Sequence, residues 1–99
     1  SFGYRNGSVV IDDGFNISSI TRVRLGDYKV VFLTPLNSAR YSVSGSALFG
    51  NAGAVVFSPC SDSGADSRAT TSFELSISDA SDNSFKDSEL INFQIFGGI

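Results

Sequence analysis

The stretch that decides the fold is residues 16–41, NISSITRVRLGDYKVVFLTPLNSARY. Side chains of an extended chain alternate between two faces, so Tyr28, Val30 and Phe32 share one face and Lys29, Val31 and Leu33 the other. Two of the second three are also apolar. That pattern marks a strand with protein on both sides, as in a central strand or a subunit contact. The preceding run, Ile17 to Arg24, has mixed phase: Ile17, Thr21 and Val23 stand against Ile20. A bulge near Ser18-Ser19, or a twisted edge strand, reconciles the two phases. Leu25-Gly26-Asp27 separates the runs, and Gly26 supplies the positive φ that a short hairpin loop needs, so an antiparallel pair is predicted. Pro35 ends the second strand, because it lacks a ladder donor and holds Thr34 extended.

Working outward, residues 1–14 read as a polar, glycine-containing opening segment with one short strand, and residues 15–99 as a single β-sandwich domain. In the opening segment Asn6-Gly7 is a turn signal and Asp12-Asp13-Gly14 closes the short strand Val9-Val10-Ile11. Beyond the hairpin, Arg40 to Phe49 places Tyr41, Val43, Ala47 and Phe49 on one face and Ser42, Ser44 and Ser46 on the other. Gly45 falls on the apolar face, which predicts a bulge or a close backbone approach. Gly50 to Gly53 is a turn. Ala54 to Phe57 is a short apolar strand stopped by Pro59, and Ser58 to Arg68, SPCSDSGADSR, reads as an exposed loop. Thr70 to Ser78 alternates, with Phe73, Leu75 and Ile77 inward and Ser72, Glu74, Ser76 and Ser78 outward. A polar loop from Asp79 to Ser88, interrupted by Phe85, leads to the last strand, Glu89 to Phe96, where Ile91, Phe93 and Ile95 share a face. No segment has helical spacing. Seven strands with turn signals at roughly 10–15 residue intervals predict an all-β, antiparallel sandwich.

Composition narrows the function. The chain has 99 residues, a net charge of −3, 41% apolar residues and nine Phe. This suits one domain with a compact core, small enough for oligomerisation to add stability. Nucleic acid is excluded as a partner by the missing Lys/Arg patch, and an anionic membrane surface by the acidity. The apolar runs fall far short of the roughly 20 residues of a spanning helix, so no membrane insertion is expected. No leader of the secretory type is visible, and the start at Ser1 reads as a processed chain or a fragment of a longer one. Cys60 is the single cysteine, so no intrachain disulfide forms, and it reads as a small packing residue. Histidine is absent, which removes the Ser-His-Asp and Cys-His constellations and the commonest metal ligand.

Asn16-Ile17-Ser18-Ser19-Ile20-Thr21-Arg22, then Gly26-Asp27-Tyr28-Lys29-Val30-Val31-Phe32, then Ala39-Arg40-Tyr41-Ser42-Val43, occur in an order that resembles the C-terminal tip domains of bacteriophage tail fibres and receptor-binding proteins. The closing part is similar too: Thr71 to Leu75, then Asp87, then Ile91 to Gly97. The resemblance runs from about Phe15 to Gly97 and departs mainly over Leu48 to Arg68. It implies a viral protein of the virion, extracellular and engaged in host attachment: a homotrimer whose exposed loops touch a host cell-surface receptor, either glycan or protein. Strands with two apolar faces are compatible with this, since a closed ring covers them without leaving an open edge. Val31, Leu33, Leu90 and Phe96 are the expected subunit contacts.

Aromatic rings on loops stack on sugars, with Asp, Asn and Arg bonding the hydroxyls. On that ground the expected receptor-binding residues are Asn51, Asp62, Ser63, Asp66, Arg68 and Phe85. Tyr4, Phe49 and Phe57 are weaker candidates, because large rings gain most by burial. Asp62, Asp66, Asp79, Asp82, Asp87 and Glu89 offer oxygens, but without the ordered spacing of a calcium loop they read as solvated, so no metal and no cofactor is expected. No pair of carboxylates is marked as facing across a groove, so no catalytic residue is assigned and the chain is read as a non-enzyme. Two alternatives stay open: a purely structural fibre-cap or trimerisation module, and a carbohydrate-binding module of a secreted bacterial protein.

Overall fold

The computed structural model describes residues 1–48, 55–58, 67–79, 87–88 and 90–98. The regular elements among them are all strands: β1 (Phe2–Arg5), β2 (Ser8–Ile11), β3 (Ile17–Arg24), β4 (Asp27–Phe32), β5 (Tyr41–Leu48), β6 (Val55–Ser58), β7 (Ser72–Asp79) and β8 (Leu90–Gly97). They form two antiparallel four-stranded sheets, ordered β2-β1-β8-β5 and β3-β4-β7-β6. The all-β sandwich expected from the sequence is the fold observed.

The β3–β4 hairpin follows its sequence closely. Gly26 adopts φ 71° in the turn. The register steps from Ile17–Phe32 to Ser19–Val31, so Ser18 is the extra residue of a bulge that brings Ile20 into phase. A second step between Arg22 and Arg24 accommodates Val23. β4 is central in its sheet, between β3 and β7. Its inward side chains Tyr28, Val30 and Phe32 are buried, together with Phe73, Leu75 and Ile77 of β7.

The opening segment is more structured than expected. Phe2–Arg5 is a strand, the eighth, paired to β2 and to β8. Asn6 and Gly7 have φ of 52° and 80°, the two positive values of the tight turn whose twist suits a two-residue hairpin. Phe2 is fully buried and meets Tyr28 edge-on at 5.3 Å between ring centroids. An aromatic chain continues across the sandwich: Phe2 to Phe93 at 6.0 Å, Phe93 to Phe73 at 5.7 Å, Phe73 to Phe32 at 5.8 Å, and Phe32 to Tyr41 at 5.9 Å. Rings offset or edge-on in this way hold the sheets by burial plus a smaller quadrupole contribution.

Of the bulge and the close backbone approach expected at Gly45, the bulge is ruled out: β5 and β8 stay in register from Tyr41–Gly97 to Leu48–Leu90, with Gly45 opposite Phe93. Ser76 lies on the outward face of β7 yet is buried, directly opposite Asp27, which is also buried.

Candidate functional site

Strands β3 and β8 run the length of the sandwich, and the two ends they reach differ. At one end Asp87, just before β8, receives four donor groups. Arg22 holds the carboxylate through Nε at 3.0 and 3.1 Å and through Nη2 at 2.9 Å. The Gly26 amide donates at 2.9 Å and the Tyr28 hydroxyl at 2.7 Å. The Tyr4 ring lies 4.6 Å from the Arg22 guanidinium carbon, a cation–π contact. Burial by itself would raise the Asp87 carboxyl. The Arg22 hydrogen bonds, the Gly26 amide and the Tyr28 hydroxyl outweigh it and hold the group below the usual carboxylate range. Burial, reinforced by the bond to Asp87, pushes the Tyr28 hydroxyl above the usual tyrosine range.

This arrangement is a fastening. Asp87 is saturated with donors and offers nothing to a ligand. Its partners Arg22, Gly26 and Tyr28 come from the two sequence runs on either side of the β3–β4 turn. Asn16 acts similarly at the other end of β3. With φ 60°, its side-chain oxygen accepts from the Thr34 amide at 2.7 Å and its nitrogen donates to the Thr34 carbonyl at 3.0 Å. The recognisable wording of residues 16–32 therefore encodes joints of the fold.

The opposite end of β3 and β8 is open. A cavity of about 350 Å³ lies between the sheets. Its walls are Ile17, Ile20 and Phe32 from one sheet and Phe93 and Ile95 from the other, with Asp13, Asn16 and Gln94 at polar positions. A volume of this order, apolar with few polar groups, is in the range of ligand sites. Phe15 stands at the rim, 94% exposed, and a second apolar depression continues past it over Leu33, Pro35 and Leu36.

Of the residues expected to bind a receptor, Asn51, Asp62, Ser63, Asp66 and Phe85 lie outside the described residues. Arg68 is described and exposed; its Nη1 donates to the Tyr41 carbonyl at 2.6 Å. It shares a shallow depression with Arg40, Ser42 and Phe96. Arg68 thus sits beside an aromatic ring as that reading requires, but the ring is Phe96, expected as a subunit contact. Among the expected contacts, Leu33 is 70% and Phe96 60% exposed, while Val31 and Leu90 are half-buried. Alternation places Val31 and Leu33 on the outside of one sheet and Leu90 and Phe96 on the outside of the other. Among the described residues, no group of three or more His, Cys, Asp or Glu is placed to hold a metal ion.

Sequence reading missed the open end. Ile17, Ile20, Phe93 and Ile95 carry the same alternation as the closed core, and nothing in that pattern says the layer between them is incomplete. Phe15 had a signal: a lone aromatic between turn residues, Gly14 and Asn16, has no strand to bury it.

No protein-family model, no curated protein sequence and no solved structure matches this chain.

Proposed function

We propose that the chain is the tip domain of a bacteriophage tail fibre, which assembles as a homotrimer and presents its loops to a receptor on the host cell surface. One observation carries the assembly half of this reading. Large apolar side chains lie exposed on the outer faces of both sheets, Leu33 on one and Phe96 on the other. An isologous dimer would bury one of these faces against its own copy and leave the other in water. Contact of one copy's Phe96 face with the next copy's Leu33 face is heterologous, and a heterologous contact that closes makes a ring. A trimer is the smallest such ring. The ordered motifs support the fibre context.

Receptor contact then comes from the loops. Affinity at each copy is multiplied by the number of copies engaged.

The test is solution mass by light scattering coupled to size exclusion, followed by glycan-array binding of the assembled species. A mass near three times 10.5 kDa, lowered by Leu33→Asp and by Phe96→Asp but not by Ser44→Asp, supports assembly. A stable monomer overturns it and moves the reading to a free-standing carbohydrate-binding module. A trimer that binds no glycan and no host cell moves it to a structural cap.

A further inference from the structure

The turn between β1 and β2 consists of Asn6 and Gly7 alone, since Arg5 and Ser8 already face each other in the ladder. Both turn residues have positive φ, 52° and 80°, as a type I′ turn requires. Asn6, Gly7 and Ser8 are exposed, and nothing lies within 4 Å of the position a Cβ would take on Gly7. A carboxamide followed by glycine is the pair in which the next backbone nitrogen reaches the side-chain carbon with least hindrance, because glycine has no Cβ to obstruct it.

The Gly7 amide lies outside the ladder. The Tyr4 amide donates to the Ser88 carbonyl at 2.8 Å, toward β8. Successive residues of a strand turn to opposite edges, so Gly3 and Arg5 face β2, and Arg5 with Ser8 closes the hairpin. The Gly7 nitrogen sits beyond that closing pair, where its proton is accessible to base. The turn nonetheless holds it away from the Asn6 side chain. At the ψ of about 30° that a I′ turn gives its first central residue, Cβ and the next nitrogen stand on opposite sides of the Cα–C bond. Attack waits until the turn opens, and that opening is local. β2 is the outer strand of its sheet, and three of its four residues are exposed. The Arg5 guanidinium ties the hairpin from outside, with Nη1 and Nη2 donating to Asp12 at 2.8 and 2.7 Å. The two side chains are 34% and 36% exposed, so water weakens the tie.

We propose that Asn6 is a site of spontaneous modification, converted through a cyclic imide to aspartate and isoaspartate at a rate set by opening of the β1–β2 turn, and that the isoaspartate form releases β2 from β1. In the opened turn the Gly7 nitrogen gives its proton to base and bonds to Asn6 Cγ. The side-chain nitrogen takes up a proton and leaves as ammonia. Water then opens the five-membered ring. Cleavage between Cγ and the nitrogen gives aspartate on the original backbone. Cleavage at the other carbonyl gives isoaspartate, whose main chain runs through Cβ. Asp-Gly is itself a good I′ pair, so the aspartate form recloses. The isoaspartate form carries one extra main-chain atom in a loop with room for two residues, and the Arg5–Ser8 pair does not re-form in register. Asn16 makes the contrast within the same chain. Both of its side-chain polar atoms are held by Thr34, at 2.7 and 3.0 Å, and the branched Ile17 follows it.

The experiment incubates the whole chain in mildly alkaline buffer, folded and in urea, and maps digests by mass spectrometry. A gain of about 1 Da at Asn6 marks conversion of amide to acid. Synthetic peptides carrying aspartate or isoaspartate at that position identify the two products by retention time. Conversion is expected in both samples, at least about tenfold slower in the folded chain. Asp12→Ala, which cuts the tie across the hairpin, should speed the folded reaction about threefold and leave the rate in urea unchanged. In the separated isoaspartate form the Ser8 and Val10 amides should exchange at least about tenfold faster than in the parent, while Tyr4, bonded to Ser88, keeps its protection. Asn6→Asp should exchange as the parent does. Four results overturn the proposal. Asn6 stays intact in the folded chain. It converts equally fast folded and in urea, which removes the turn as the gate. The isoaspartate form keeps Ser8 and Val10 protected. Asn6→Asp loses that protection equally, which makes the added charge and not the backbone responsible. None of these readouts depends on trimer mass, so this proposal and the fibre-tip reading fail separately.

Discussion

The two ends of the β3–β8 seam are built from the same strands and finished in opposite ways. At the Arg22 end every group in view has a partner: a carboxylate, a guanidinium, a backbone amide and a phenol close on one another, with Tyr4 over the top. At the Ile17 end apolar walls enclose space, and a phenylalanine at the rim faces solvent. A sandwich needs only enough burial to exceed its entropy cost, and one sealed end with a continuous aromatic core supplies it. The open end is then available for contact with something else.

The largest expected effect is at the sealed end. Asp87→Ala leaves Arg22, the Gly26 amide and the Tyr28 hydroxyl without their acceptor, and stability should fall by about 3 kcal/mol in urea unfolding. Asp87→Asn keeps the shape and loses the charge, so about half that loss is expected. A loss under about 0.5 kcal/mol for Asp87→Ala would remove the contrast between the ends.

Much of this end was legible in the sequence as wording and little of it as mechanism. Gly26 and the alternation through Tyr28 and Phe32 gave the hairpin, and the phase change at Ser18 gave the bulge. The meeting of Arg22 with Asp87 joins residues far apart in the chain, and no local period encodes such a pairing. Asp87 accordingly read as a solvated carboxylate. Phe2 was passed over for a related reason. Asn6-Gly7 is a strong hairpin signal, but the strand before it, FGYR, is only four residues long and contains a glycine. Its burial is set by Tyr28 and Phe93, which arrive from elsewhere in the chain.

A matched pair of substitutions compares the ends directly. Ile91 is fully buried and Ile20 lines the cavity. Ile91→Phe should cost about 1–3 kcal/mol by overpacking. Ile20→Phe has room to enter and should be neutral or stabilising by up to about 1 kcal/mol. The same addition of volume then has opposite consequences, measured as the difference between the two melting temperatures. Equal costs would mean that the cavity closes in solution.

Acid and base should act through the sealed end. The folded-state Asp87 carboxyl is held below its usual value, so its contribution is present above the unfolded carboxylate pKa of about 4 and is lost as pH falls through the lower folded value. Tyr28 is raised, so its contribution is complete below the unfolded tyrosine pKa of about 10 and declines as pH rises above it. In Asp87→Asn the decline in acid should be visibly shallower than in the parent, read as the unfolding midpoint across pH 2 to about 5.

The smallest expected effect is the one that tests the open end most directly. Phe15 is 94% exposed, so Phe15→Ser removes a ring that is in water in both folded and unfolded chains, and stability should change by no more than about 0.5 kcal/mol. The substitution should therefore leave the melting temperature alone. Destabilisation by more than about 1 kcal/mol would show that Phe15 turns into the cavity in solution, and the end described as open would be closed by the chain's own side chain.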